Sequence, residues 1–193
     1  MEVRRTPVEY TVLGLDMSLT ATGFCLKRGQ TLTIETIKTT PKSAPDDLAR
    51  FKLIVAEVMK RVPPSVNMVC IEDYFTPSNR QQIGAAIKLV GLGILMRVSL
   101  YDAGLPFFVI APSQIKKFVT GKGVGQKSII VREVYKRWGV DAKDDNQADA
   151  CVLAHMAEAL VVPSDNSPKY QLETIKKVLK DRPRYNYEEE QNG

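Results

Sequence analysis

The stretch TVLGLDMSLTATGFCLKRG, residues 11–29, constrains the fold more than any other. Thr11, Val12, Leu13, Gly14 and Leu15 form a strand-like run that stops at Asp16, and a second run, 22–26, resumes after a short Ser/Thr-rich turn. A mostly apolar run without clean alternation predicts a strand buried on both faces, so 9–16 reads as central to a sheet. Strands at 21–28 and 31–38 follow, and Gly29 in the KRGQ turn supplies an unusual backbone angle. TIETIK alternates, as a strand with one buried face does. Three strands in a row separated by short turns predict an antiparallel set.

Beyond it the pattern changes. Leu48, Phe51, Val55, Val58 and Met59 recur at helical spacing over 46–61, and Pro63 and Pro64 end that helix. VNMVCIE, 66–72, is a strand, and it too finishes on a carboxylate, Glu72. A long helix spans 79–103. It carries the small residues Gly84, Ala85, Ala86, Gly91 and Gly93, and an apolar stripe of Ile83, Ile87, Val90, Ile94 and Val98. A strand at 105–111 leads to a helix opened by Pro112 or Ser113. A glycine-rich basic loop, a helix at 126–138 and a polar-capped helix near 145 follow, then a short helix at 168–180 and a polar tail. The chain is α/β: a mixed five-stranded sheet, three antiparallel strands and then alternating helices and strands, with helices on both faces. The expected domain is 1–163, with 164–193 as a polar C-terminal extension.

Composition narrows the function classes. No apolar run approaches the ~18 residues that span a bilayer, and MEVRRTPVEY lacks the apolar stretch of a secretory signal, so a cytoplasmic protein without a membrane partner is expected. Cys25, Cys70 and Cys151 are far apart, lie among apolar neighbours and form no C-x-x-C, which predicts buried free thiols. His155, the single histidine, cannot anchor a multi-histidine metal site and is assigned a structural role. The net charge is +5, and residues 112–143 alone hold eight basic side chains against Glu133 and Asp141. Such a concentration suits a polyanion, though a solvated helix face reads equally well from charge alone.

Asp16 and Glu72 end strands that would be neighbours in this sheet. Asp145 and Asp149, four apart, and Asn146 and Asp149, three apart, each share one face of the helix that begins near 145. Crowded carboxylates raise one another's pKa, and a divalent cation removes that cost. All-oxygen ligation favours Mg²⁺ or Mn²⁺ over zinc. Two such ions about 4 Å apart can activate water and stabilise the leaving oxygen of a phosphodiester. Singly, each acid has a plainer reading: Asp16 as a turn cap, Glu72 as a loop residue, Asp145 as a helix N-cap.

VLGLDMSLTATGF, VCIEDYF, PSQIKKFVTGKGVGQKSII and DNQADACVLA resemble, in order and spacing, the RuvC family of Holliday-junction resolvases in the RNase H-like superfamily. The likeness covers about residues 11–160, and the short form with its own tail is similar to phage-encoded members, which would place it in the bacterial host cytoplasm. The resemblance implies a structure-selective endonuclease that nicks branched DNA in pairs and leaves 5′-phosphate and 3′-hydroxyl ends. It implies two ions, Mg²⁺ or Mn²⁺, held by Asp16, Glu72, Asp149 and a fourth ligand three residues before Asp149. The family has Asp or His there. This chain has Asn146, with Asp145 beside it as a substitute. Lys116 and Lys127 match basic residues near the scissile phosphate, and Lys117, Lys122 and Arg132 extend the basic surface toward DNA. Phe75 matches an aromatic that stacks on a base at the branch point, with Tyr74 as its rival. The family is dimeric through the helix corresponding to 79–103, which fits a two-fold four-way junction. Flaps and forks are further candidate substrates.

Two other classes remain open. A non-catalytic nucleic-acid-binding module on the same fold accommodates the Asn146 departure. An actin-like ATPase also begins its first hairpin with an aspartate among Gly and Thr, but it needs two such domains. The segment GKGVGQKS lacks the G-x-x-x-x-G-K-[ST] frame of a nucleotide-binding loop.

Overall fold

The computed structural model describes residues 10–74, 80–124, 126–164 and 166–181. Its five strands are β1 (Thr11–Asp16), β2 (Ala21–Arg28), β3 (Thr31–Lys38), β4 (Met68–Glu72) and β5 (Phe107–Ile110). They lie in the order β3-β2-β1-β4-β5. β1 pairs antiparallel with β2 and parallel with β4, β2 antiparallel with β3, and β4 parallel with β5. The mixed sheet read from the sequence is therefore present. All six residues of β1 are buried, as a strand paired on both sides and covered on both faces must be. The two-residue β2–β3 turn uses Gly29 at φ 53°, a left-handed conformation that costs glycine little.

Helices α1 (Asp47–Met59) and α2 (Arg80–Asp102) cover one face. Their core is built with Leu13, Leu15, Val69 and Ile71. Helices α3 (Pro112–Thr120), α4 (Lys127–Trp138), α5 (Asp145–Val161) and α6 (Lys169–Asp181) cover the other. Their core takes Val12, Cys25, Met68 and Cys70, and it includes Ile175 and Val178 of α6. Alternation along β1 and β4 thus places the odd-numbered residues of both strands on the α1/α2 side and the even-numbered ones on the α5 side.

α5 lies unusually close to the sheet. A Cβ at Gly14 would stand 2.0 Å from the Ala150 carbonyl oxygen, and one at Gly23 2.1 Å from that of Asn146. Only glycine permits this approach. Along the rest of α5 runs a polar chain that is buried at Lys27, nearly buried at His155 and reaches solvent at Glu158. Lys27, with 4% of its side chain exposed, donates to Glu158 Oε1 at 2.6 Å and also to the Gly29 carbonyl. Glu158 Oε2 lies 3.5 Å from His155 Nδ1, and the imidazole stacks on Trp138 with centroids 3.8 Å apart. Cys25, Cys70 and Cys151 are free and buried. The bond with Cys25, and then His155, draws the Cys151 thiol below its ordinary range, while the same bond and burial push Cys25 up.

One expectation needs correction. Taken as a window, Ile83–Asp102 is long and apolar enough to cross a membrane by length and composition, with mean hydropathy 1.8, because its neighbours outweigh Lys88 and Arg97. In the fold Leu92, Met96 and Leu100 of this helix are fully buried in the core, and Lys88 and Arg97 pair with Asp47 and Asp73.

Candidate active site

The site is assembled by register. Leu15 is level with Ile71 across the parallel β1–β4 pair, so Asp16 and Glu72 occupy the next row at the carboxyl ends of both strands. By alternation both side chains fall on the α5 side of the sheet, with Val12 and Cys70. Asp16 is 8% exposed. It lines one cleft with Glu72, Met17, Asp73, Tyr74, Leu89, Gly93 and Pro112.

The glycine seat delivers α5 to this row. Gly23 is the β2 partner of Asp16, and the Asn146 carbonyl rests on it; Ala150, next to Asp149, rests on Gly14. The first turn of α5 is anchored by Asp144, which accepts from Gln147 N at 2.8 Å and from Thr36 Oγ1 at 2.9 Å. The Gln147 side chain in turn accepts from Lys143 N, the residue before the cap, at 3.0 Å. Asp144, not Asp145, is therefore the N-cap, and Asp145 is the first helical residue. Asp145, Asn146 and Asp149 are all half-buried. Among the described residues no three His, Cys, Asp or Glu side chains stand together closely enough to hold an ion. The cleft itself brings together Asp16 and Glu72, and Asp149 does not line it.

Of the basic candidates, Lys116 lies one helical turn after Pro112, on the same face of α3 as that cleft residue. Lys117 pairs with Glu173 of α6 at 3.4 Å. Lys122 is exposed, and Arg132, 64% exposed, is 4.0 Å from Glu133. Lys127 opens α4, and only its backbone is described; Phe75 lies outside the described residues. Tyr74 has the Arg97 guanidinium over its ring at 4.2 Å. Arg97 and Asp73 were not anticipated, although an arginine inside an apolar helix was a visible signal.

The donor set suits a hard cation: Asp16 and Glu72 are carboxylate oxygen donors in a partly buried cleft whose lining residues include no cysteine or histidine. Strand order, helices on both faces and paired carboxylates at adjacent strand ends define an RNase H-like nuclease scaffold.

Known proteins narrow that class. The family model "Crossover junction endodeoxyribonuclease RuvC" matches residues 12–157. A RuvC of Anaeromyxobacter sp. is 31% identical over 122 residues, covering 61% of this chain and 57% of that protein. A RuvC of Bifidobacterium adolescentis is 26% identical over 153 residues, covering 74% and 76%. Two Thermus thermophilus RuvC structures share the fold. One has TM-score 0.59 at 22% identity; the other, in complex with Holliday junction substrate, has 0.57 at 21%. Each covers 75% of this chain and 90% of theirs. The chain belongs to the RuvC family of crossover junction endodeoxyribonucleases, metal-dependent enzymes of Holliday junctions.

Proposed function

We propose that this chain resolves four-way DNA junctions by paired, metal-dependent nicking, and that Asp16 and Glu72 form the centre of its active site. The observation that carries the reading is the placement of these two carboxylates side by side at the ends of parallel strands, in one cleft. Asp16, Glu72, Asp149 and either Asn146 or Asp145 would hold two ions, Mg²⁺ or Mn²⁺. Bound there, the ions supply a water nucleophile at neutral pH and charge stabilisation. The protein's own part is to set the carboxylates on rigid strand ends and to bring α5 onto them through Gly14 and Gly23. Lys116, on the cleft side of α3, neutralises the phosphate under attack. Lys127, Lys122 and Arg132 follow the DNA backbone, and Phe75 stacks at the branch point. The products are 5′-phosphate and 3′-hydroxyl ends; flaps and forks are further substrates.

A homodimer through α2 belongs to the same reading. It is supported by Ile83, Ile87, Ile94 and Val98, which form one stripe and are 43–65% exposed. Two-fold symmetry would give each of two opposed strands its own active site. The three free cysteines suit a reducing cytoplasm as the place of action.

A synthetic four-way junction, with and without divalent metal, tests the proposal. Wild-type protein should produce symmetric nicks only with metal, and Asp16→Asn should bind the junction yet cut at least about a thousandfold more slowly. Junction binding by the wild type with no cleavage in either Mg²⁺ or Mn²⁺ would establish a binding module instead.

A further inference from the structure

We infer that Arg97 is a positioning residue: together with Gly93 it latches Asp73 and Tyr74 to α2, and so holds the catalytic strand end in place. Four observations meet here. Arg97 Nη2 lies 3.1 Å from Asp73 Oδ1, and the two side chains are 20% and 21% exposed. The same carboxylate oxygen accepts from the Tyr74 backbone N–H at 3.0 Å. The Arg97 guanidinium covers the Tyr74 ring at 4.2 Å. A Cβ at Gly93 would stand 2.5 Å from Tyr74 Cε1, so the ring fits against α2 only because that residue has no side chain.

Gly93 and Arg97 are four apart, one above the other on a single helix face. One closes on the edge of the ring and the other on its face. The two gripped residues directly follow Glu72. Asp73 N–H also donates to the Ile110 carbonyl at 2.8 Å, so the end of β4 is held by β5 on one side and by α2 on the other. Ile94 and Val98 sit one residue beyond Gly93 and Arg97, on the exposed stripe. The same two turns of α2 therefore carry the latch on one side and the proposed dimer surface on the other. Tyr74 acts through this packing, not by stacking on a base, and Arg97 is committed to Asp73 and Tyr74 and not to a phosphate.

The inference rests on the nuclease reading for its consequence, but not for its geometry, and the experiment keeps the two apart. Arg97→Ala, Arg97→Lys, Tyr74→Ala, Tyr74→Phe and the Arg97→Ala/Tyr74→Ala pair are compared with wild type, each first shown to be folded by circular dichroism. Backbone hydrogen exchange over 70–74 is measured on metal-free protein, and kcat and KM on a four-way junction. Arg97→Ala should speed exchange at 73–74 and lower kcat by about 10- to 100-fold with KM within about twofold. Tyr74→Ala should match it, the pair should be no worse than the poorer single variant, and Tyr74→Phe and Arg97→Lys should retain most of the rate. Wild-type exchange and kcat in Arg97→Ala would overturn the latch. So would a Tyr74→Ala defect confined to KM and to 2-aminopurine unstacking at the branch point, because that marks a base contact. If the wild type cuts nothing, the nuclease reading fails and exchange alone decides the latch.

Discussion

α5 and α2 are the two long helices of the molecule, one on each face of the sheet, and they are equally rich in apolar residues. They are covered very differently. Ala148, Ala150, Cys151, Val152, Leu153 and Ala154 of α5 are all fully buried, because β1 and β2 press on one side and α3, α4 and α6 close the others. α2 buries Leu92, Met96 and Leu100 and leaves Ile83, Ile87, Ile94 and Val98 in contact with solvent. Apolar content alone cannot separate a core helix from a docking helix; the number of sides its own chain covers can. α5 is enclosed by its own chain on every side, while α2 keeps an apolar face exposed, the face assigned above to the proposed dimer.

The largest expected effect breaks the seat of α5. Gly14→Ala places a methyl group 2.0 Å from a backbone oxygen, and thermal unfolding should show a loss of about 3 kcal/mol or more. Met96→Ala, on the buried side of α2, should cost about 3 kcal/mol in urea unfolding by leaving a cavity. Glu158→Ala strands the buried Lys27 ammonium. It should cost about 2 kcal/mol, below the range for fully buried pairs because Glu158 is 35% exposed. Gly84→Ala, where a Cβ meets nothing within 4 Å, should instead raise monomer stability by up to about 1 kcal/mol. Ile87→Asp with Ile94→Asp should change monomer stability by no more than about 0.5 kcal/mol while converting a dimer to a monomer in light scattering. A monomeric wild type would remove the functional half of the contrast.

The buried polar chain also has a pH signature. Burial pushes the Glu158 carboxyl up, but His155 and Lys27 outweigh it, and the net value is below the ordinary one. Its contribution is therefore present above about pH 4.5 and is lost as pH falls through the depressed folded value. Burial opposes charging of His155, yet Cys151 and Glu158 outweigh it and raise its value. That contribution is present below about pH 6.5 and is lost as pH rises through the folded value. The stability gap between wild type and Glu158→Gln should thus be widest near pH 5–6 and narrow on either side.

Much of this was readable in the chain. Asp16 and Glu72 stood out because a carboxylate that ends an apolar strand is anomalous within a few residues. Gly29, Pro63 and Pro112 punctuated the elements through fixed local geometry. Other features were hidden for definite reasons. Asp144 and Asp145 are adjacent and chemically identical, and only the extended backbone at Asp144, φ −149°, makes it the cap. Nothing in the KRGQ turn marks Lys27 as buried, yet it is, because Glu158, 131 residues away, pairs with it. Arg97 finds Asp73 across 24 residues, a pairing that no periodicity contains.

The sequence by itself determined the succession of strands and helices along the chain, the one-sided burial pattern of the third strand, and the two acids at the strand ends. These follow from periods of 2 and 3.6 and from turn residues, which act over a few positions. The tertiary structure alone decided how close α5 comes to β1 and β2, which face of α2 stays open, and which charges are sealed together. Those outcomes depend on contacts between segments tens to more than a hundred residues apart, where excluded volume at Gly14 and Gly23 and the desolvation of Lys27 are settled only once the faces meet.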